Sequence, residues 1–205
     1  MSFRMFDRGA KLDYLLIMTR EIILLTGPVE APHLTDELES TGADLSILHA
    51  PNRRQLESAV LSAPPNDGRV LIAYCTEIIV PAPVLGTLGN WAYNFHPGPP
   101  TRPGVASAHF AVHEGDTRFG VTAHVMTERV DAGPIVGVKW FDVPNKTTVT
   151  ELEETAYVQL FHLFCKLARA LATAPTPLAH LDITWSGQAK TRKDVERMRA
   201  EDPYF

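Results

Sequence analysis

Apolar and polar positions along the chain alternate in a way that separates short buried strands from amphipathic helices. Glu21–Gly27 (EIILLTG) is an aliphatic run closed by Gly-Pro, a buried-strand signal. The next stretch, APHLTDELESTGA, spaces Leu34 and Leu38 four apart and ends near Gly42, so it predicts a short helix. DLSILHA predicts a second strand, and NRRQLESAVLSA a second helix stopped by Pro64 and Pro65. Gly68–Cys75 (GRVLIAYC) is nearly continuous in apolar residues, as strands covered on both faces are. PAPVLGTLG reads as a turn or short helix leading into a strand that carries Asn94 and His96. After a helical SAHFAVHEGD, residues 119–143 alternate like paired strands, and Thr148–Thr173 holds the clearest amphipathic helix. Beyond APTP the composition turns polar, which predicts a docked tail with one or two helical turns.

Strands alternating with helices predict an α/β fold: an open, mostly parallel Rossmann-like sheet with helices on both faces. The organisation expected is an N-terminal extension over 1–20, a catalytic domain over 21–178 and a C-terminal tail over 179–205. Met18 is an alternative start, since the first clear strand begins just after it. Acidic Asp7 and Asp13 interrupt the short apolar patch near the N-terminus, which disfavours a signal peptide. With 205 residues, 45% hydrophobic and 21% charged, the chain suits one compact domain. The net charge of −5 disfavours a nucleic-acid binder. No apolar run reaches membrane-spanning length, so no membrane association is expected and the cytoplasm is the default location. Cys75 and Cys165 lie in apolar runs and read as small core residues.

Chemistry concentrates in Trp91–Gly104, WAYNFHPGPPTRPG. In a strand, residues two apart share a face, so Asn94 and His96 point the same way where strand becomes loop. Ligand crevices of open parallel sheets lie outside the carboxyl ends of strands. Pro97, Pro99, Pro100 and Pro103 restrict the backbone of that loop. Spacing alone leaves a plainer reading equally open, in which Asn94 caps a turn and His96 is a satisfied histidine.

Together with residues 111–136, the segment resembles the folate-dependent formyltransferase family. The family's Asn-x-His-Pro motif falls on Asn94-Phe95-His96-Pro97, its Gly-Val-Thr strand on Gly120-Val121-Thr122, and its Asp-x-Gly loop on Asp131-Ala132-Gly133. The resemblance runs from about Glu21 to Asp142 and is specific because the motifs recur in order. It implies one-carbon transfer of a formyl group from 10-formyltetrahydrofolate to an amine. Asn94, His96 and Asp131 would form the catalytic trio. Asn94 and a protonated His96 would donate to the developing oxyanion, and Asp131 would favour the charged ring and accept the amine proton. The donor is expected against Glu77, Ile78, Ile79 and Val80 and against Thr127 and Val130. Val80 and Val84 are core or pocket lining.

The sequence departs from family relatives in two places. The loop PGPPTRPG replaces a longer Ser-Leu-Leu-Pro run, which bears on the acceptor. The turn TGPVEAPH has prolines where a phosphate would need backbone donors, and Glu30 where the phosphate would sit, which disfavours a purine precursor. With Phe205 the last residue and an acidic net charge, no tRNA-gripping domain and no tRNA or other nucleic-acid partner are expected. A small amine becomes the expected acceptor, with a nucleotide-linked amino sugar leading, and a homodimer stays open. Rival expectations are a hydrolase using water as acceptor and a non-catalytic folate-binding protein. In the tail, Trp185 with Lys190, Arg192 and Lys193 suggests an anion contact, but acidic neighbours favour an exposed, charge-mixed segment. His109 and His113 have helical metal-ligand spacing without the metalloprotease order, and no metal is expected.

Overall fold

The computed structural model describes residues 19–62 and 68–201. The expectations for 1–18, for Pro64 and Pro65 and for the last four residues lie outside these. Six strands form one sheet: β1 (Arg20–Leu25), β2 (Leu45–His49), β3 (Val70–Tyr74), β4 (Ala92–His96), β5 (Arg118–Val125) and β6 (Ile135–Asp142). Their order is β2-β1-β3-β4-β5-β6, parallel through β4 and antiparallel for β5 and β6, the open and mostly parallel sheet expected.

Among the described residues six α-helices accompany it: α1 (Glu30–Glu39), α2 (Arg53–Leu61), α3 (Ala82–Leu88), α4 (Ser107–Glu114), α5 (Val149–Thr173) and α6 (Arg192–Glu201), with a 3-10 turn at Gly89–Trp91. The two-residue period of the strands divides the core. Ile22, Leu24, Val70, Ile72 and Tyr74 pack with residues of α1, α4 and α5. Ile23, Leu25, Leu71 and Ala73 face α2 and α3 on the other side. Both faces of β1 and β3 are therefore dry, which explains their unbroken apolar sequences. Val84 belongs to this second core layer.

Local chemistry sets the helix ends. Asn52 accepts from the Gln55 N–H at the start of α2. Thr148 and Glu151 form a reciprocal capping box that fixes the start of the 25-residue α5. The tail is more ordered than expected: α6 has 10 residues, about three turns, instead of one or two. Its exposed faces agree with the charge-mixed reading, since no residue of α6 is buried. Among the described residues no helix is long and apolar enough to cross a membrane.

Candidate active site

The site forms where β4 ends against its antiparallel neighbour. Asn94 pairs in register with His124 and His96 with Thr122, so these side chains meet in two rows across the β4–β5 ladder. The loop after β5 then folds back over them. Gly133 makes that return possible, because a Cβ there would collide with the Val125 carbonyl oxygen. Asp131 sits at the turn with a left-handed backbone (φ 44°), a conformation aspartate tolerates better than most residues. Strain of this kind persists where the surroundings fix it.

Asp131 is the hub. Its Oδ2 accepts from the Gly104 N–H at 2.8 Å and lies 3.5 Å from His96 Nδ1. Its Oδ1 lies 3.2 Å from His124 Nε2 and 3.5 Å from Asn94 Nδ2, which in turn is 3.1 Å from His124 Nε2. The structure thus brings Asn94, His96 and Asp131 together as the motif order implied. It adds His124, which lies outside all three motifs. His124 Nδ1 lies 2.9 Å from the Val125 carbonyl oxygen, so the ring is held between that carbonyl and the Asp131 carboxylate. The signal that finds His124 is the strand register, which spacing along one strand does not contain.

Burial decides the charges. His96, His124 and Asp131 are all buried. For Asp131, burial pushes the pKa up, but the bond from His124, the His96 ring and the Gly104 N–H outweigh it and hold the carboxyl below its ordinary range. For His96, burial pushes the pKa down. Asp131 opposes this and His124 reinforces it, and the net direction is down. Asp131 does favour the charged ring, as expected, but the expectation of a protonated His96 is corrected: desolvation wins, and the resting ring is neutral. Its Nε2 lies 3.3 Å from the Arg102 carbonyl oxygen and donates to it.

The proline loop is anchored from three sides. Thr122 Oγ1 donates to the Gly98 carbonyl at 2.8 Å, and Ser107 Oγ donates to the Arg102 carbonyl at 3.0 Å. Arg102 itself grips Asp116 through two bonds of 2.5 and 2.6 Å and Glu114 through one of 2.8 Å. The loop consequently presents the Arg102 carbonyl to His96 and the Gly104 N–H to Asp131 as fixed groups.

A cavity of about 750 Å³ opens onto Asn94, His96, His124 and Asp131. All six residues expected at the donor line it: Glu77, Ile78, Ile79, Val80, Thr127 and Val130. Ile79 and Val130 are more than half and half exposed, respectively, so the cavity offers uncovered apolar surface beside two loops. Cys75 also lines it, with a left-handed backbone (φ 45°) and a thiol that burial pushes up to about 12, which makes it a poor nucleophile. Of the tail residues, Arg192 reaches the cavity and pairs with Glu77 at 2.7 Å. The Lys190 ammonium lies over Phe110, not over Trp185. His109 of α4 faces Glu153 of α5 at 3.5 Å.

Comparison with known proteins agrees with this geometry. A methionyl-tRNA formyltransferase of Rickettsia bellii (strain RML369-C) is 26% identical over 141 residues, 68% of this chain and 46% of that protein. The chain thus spans under half the length of that relative. Among solved structures, the formyltransferase PseJ from Anoxybacillus kamchatkensis, in complex with UDP-4,6-dideoxy-4-formamido-L-AltNAc and tetrahydrofolate, superposes with a TM-score of 0.67 at 23% identity, over 86% of this chain and 88% of that one. A formyltetrahydrofolate deformylase from Pseudomonas syringae pv. tomato str. DC3000 superposes at 0.66 with 17% identity, over 83% and 66%. The formyl transferase family model matches residues 50–159, more than half of the chain and the span that holds all three motifs. By that match, this chain belongs to the formyl transferase family.

Proposed function

We propose that the chain moves a formyl group from 10-formyltetrahydrofolate to a small primary amine, with Asn94, His96 and Asp131 as the catalytic residues. The observation that carries this reading is the convergence of Asn94 and His96 on Asp131, each 3.5 Å from its carboxylate, at a cavity of folate-sized volume. The exposed apolar surfaces of Ile79 and Val130 suit a flat heteroaromatic ring, and the polar backbone of their loops suits its edge. The donor supplies the reactive formyl carbon.

Asn94 Nδ2 and a His96 N–H are the donors for the oxygen that gains charge when the amine nitrogen bonds to that carbon. Neutral His96 serves this role by turning its one N–H, held at rest by the Arg102 carbonyl, to the oxyanion, and proton uptake at the other nitrogen becomes easier as negative charge builds beside it. Asp131, ionised at rest, takes the proton that the attacking nitrogen sheds, directly or through one water. The oxyanion then collapses, the bond from carbon to the folate nitrogen breaks, and that nitrogen gains the proton that Asp131 took, directly or through water. His124 holds the Asp131 carboxylate on the side away from His96.

A nucleotide-linked amino sugar is the acceptor class to test first. The amino sugar nucleotide bound by the similar PseJ supports it. The start of α1 supports it by elimination: the Glu30 carboxylate lies against Gly27, where a phosphate held by helix N–H groups would have to sit.

The first test is calorimetric titration with a stable 10-formyltetrahydrofolate analogue beside plain folate. Binding of the reduced analogue is expected, followed by folate release that depends on added amine. Release without amine would make water the acceptor, and no binding by the folded chain would sink the reading.

A further inference from the structure

Past α5 the chain does not leave the molecule but straps across the site. The Leu178 N–H donates to the Tyr93 hydroxyl at 2.9 Å and the Leu181 N–H to the Ile135 carbonyl at 2.7 Å. Ser186 N–H then donates to the Pro100 carbonyl at 2.9 Å. Lys190 brackets Gly104, giving its N–H to the Pro103 carbonyl at 3.0 Å and accepting from the Val105 N–H at 3.1 Å. Two glycines permit this contact. A Cβ on Gly104 (φ 94°) would strike the Lys190 oxygen, and one on Gly187 (φ 82°) would strike the Thr101 oxygen. The strap therefore lies on the same loop whose Gly104 N–H holds Asp131.

Trp185 lies in the middle of this strap. Its Nε1 donates to the Gly133 carbonyl at 2.8 Å, which pins the indole to the Asp131 loop. The ring meets His124 edge to face, with centroids 5.0 Å apart at 90°, and meets His96 at 5.8 Å and 65°. Such tilted contacts are the preferred geometry for aromatic neighbours. Trp185 is not among the residues lining the cavity, although both histidines are. The indole thus packs against both imidazoles without itself lining the cavity.

We infer that Trp185 is a positioning residue: fixed by Gly133, its indole sets the ring planes of His96 and His124 and keeps water off the sides it covers. The kinetic consequence rests on the proposed formyl transfer, whereas the ring contact does not. Without the indole, the histidines would lose this contact and gain water. The groups facing them would otherwise be unchanged: Asp131, Asn94 and the Arg102 carbonyl, the Val125 carbonyl, and each imidazole for the other.

The test compares the parent with Trp185→Phe, Trp185→Ala and Gly187→Ala. Trp185→Ala should lower kcat roughly 10- to 100-fold, the size of effect that small misplacements of a reacting group produce. Donor affinity by calorimetry should stay near the parental value. The acid limb of the pH–rate profile should move up toward the ordinary histidine range as water reaches His96. Trp185→Phe, which keeps a ring, should recover most of the rate. Gly187→Ala, which lifts the strap from Thr101 without touching the histidines, should reproduce the pH shift in milder form.

A second measurement needs no turnover. Trp185 emission, taken as the difference between proteins with Trp185 and with Trp185→Phe, should change when His124→Gln removes the imidazole that the indole meets edge to face. A folded Trp185→Ala protein with parental kcat and pH limb would overturn the inference, as would a Trp185 emission that His124→Gln leaves unchanged. If the parent binds no donor and transfers no formyl group, the proposed function fails while the emission measurement still decides the contact.

Discussion

The two halves of the sheet are built on different terms. In β1 and β3, inward positions on both faces are aliphatic, and every residue from Ile22 to Leu25 and from Val70 to Ala73 is buried. In the β4–β5 pair, one face of the ladder carries Asn94 and His96 opposite His124 and Thr122, three of the four buried. Aliphatic burial needs only the right size and pattern, so it tolerates exchange between similar residues. Buried polar groups need every partner present, because each unmet donor or acceptor costs its desolvation. The switch from parallel to antiparallel pairing at β4 creates this second situation: it sets two polar pairs face to face at a strand end, and the Asp131 loop closes over them.

That contrast can be broken from either side. The largest effect should come from Asp131→Asn, which keeps the shape but removes the charge and the proton acceptor. A fall in kcat of roughly 10²- to 10⁴-fold is expected, read by single-turnover assay with the donor bound. Retention of more than a tenth of the rate would remove Asp131 from the mechanism. On the other half, Ile72→Ala should cost about 2–5 kcal/mol of stability in denaturant titration, with kcat per folded molecule unchanged. A loss of kcat without loss of stability would mean that the halves are coupled more tightly than their separate cores imply.

The smallest effect concerns pH. His96 has a folded pKa below its ordinary 6.5. The unfolded chain therefore binds this proton more readily, and stability that is full above pH 6.5 is lost as pH falls through that value toward the folded pKa. Asp131 acts in the same direction at lower pH, below its ordinary 3.8. His96→Gln should flatten the decline in Tm between neutral and mildly acidic buffer, measured by calorimetry. An unchanged slope would place the sensitivity elsewhere.

The order of strands and helices was legible because burial on both faces leaves unbroken apolar runs, and burial on one face of a helix leaves Leu34 and Leu38 four apart. Asn94 and His96 were legible for a similar local reason, since residues two apart on a strand share a face. His124 was not, because nothing within VTAHV tells which residue of another strand it will oppose. The tail misled in part for a related reason. Its charges do balance and α6 is exposed, but one aromatic and a series of backbone hydrogen bonds hold the strap, and backbone bonding leaves almost no trace in side-chain composition.

By itself, then, the sequence determined what is periodic or contiguous: the α/β alternation, the two-sided core, and the motif that places Asn94 and His96 on one face. Only the tertiary structure decided what depends on register and enclosure. It paired His124 with Asn94, laid Trp185 against both imidazoles, and made His96 neutral at rest. The last of these shows the reason most directly. Charge on a histidine is a balance between a neighbouring carboxylate and lost water, and the second quantity exists only once the chain has closed around the ring.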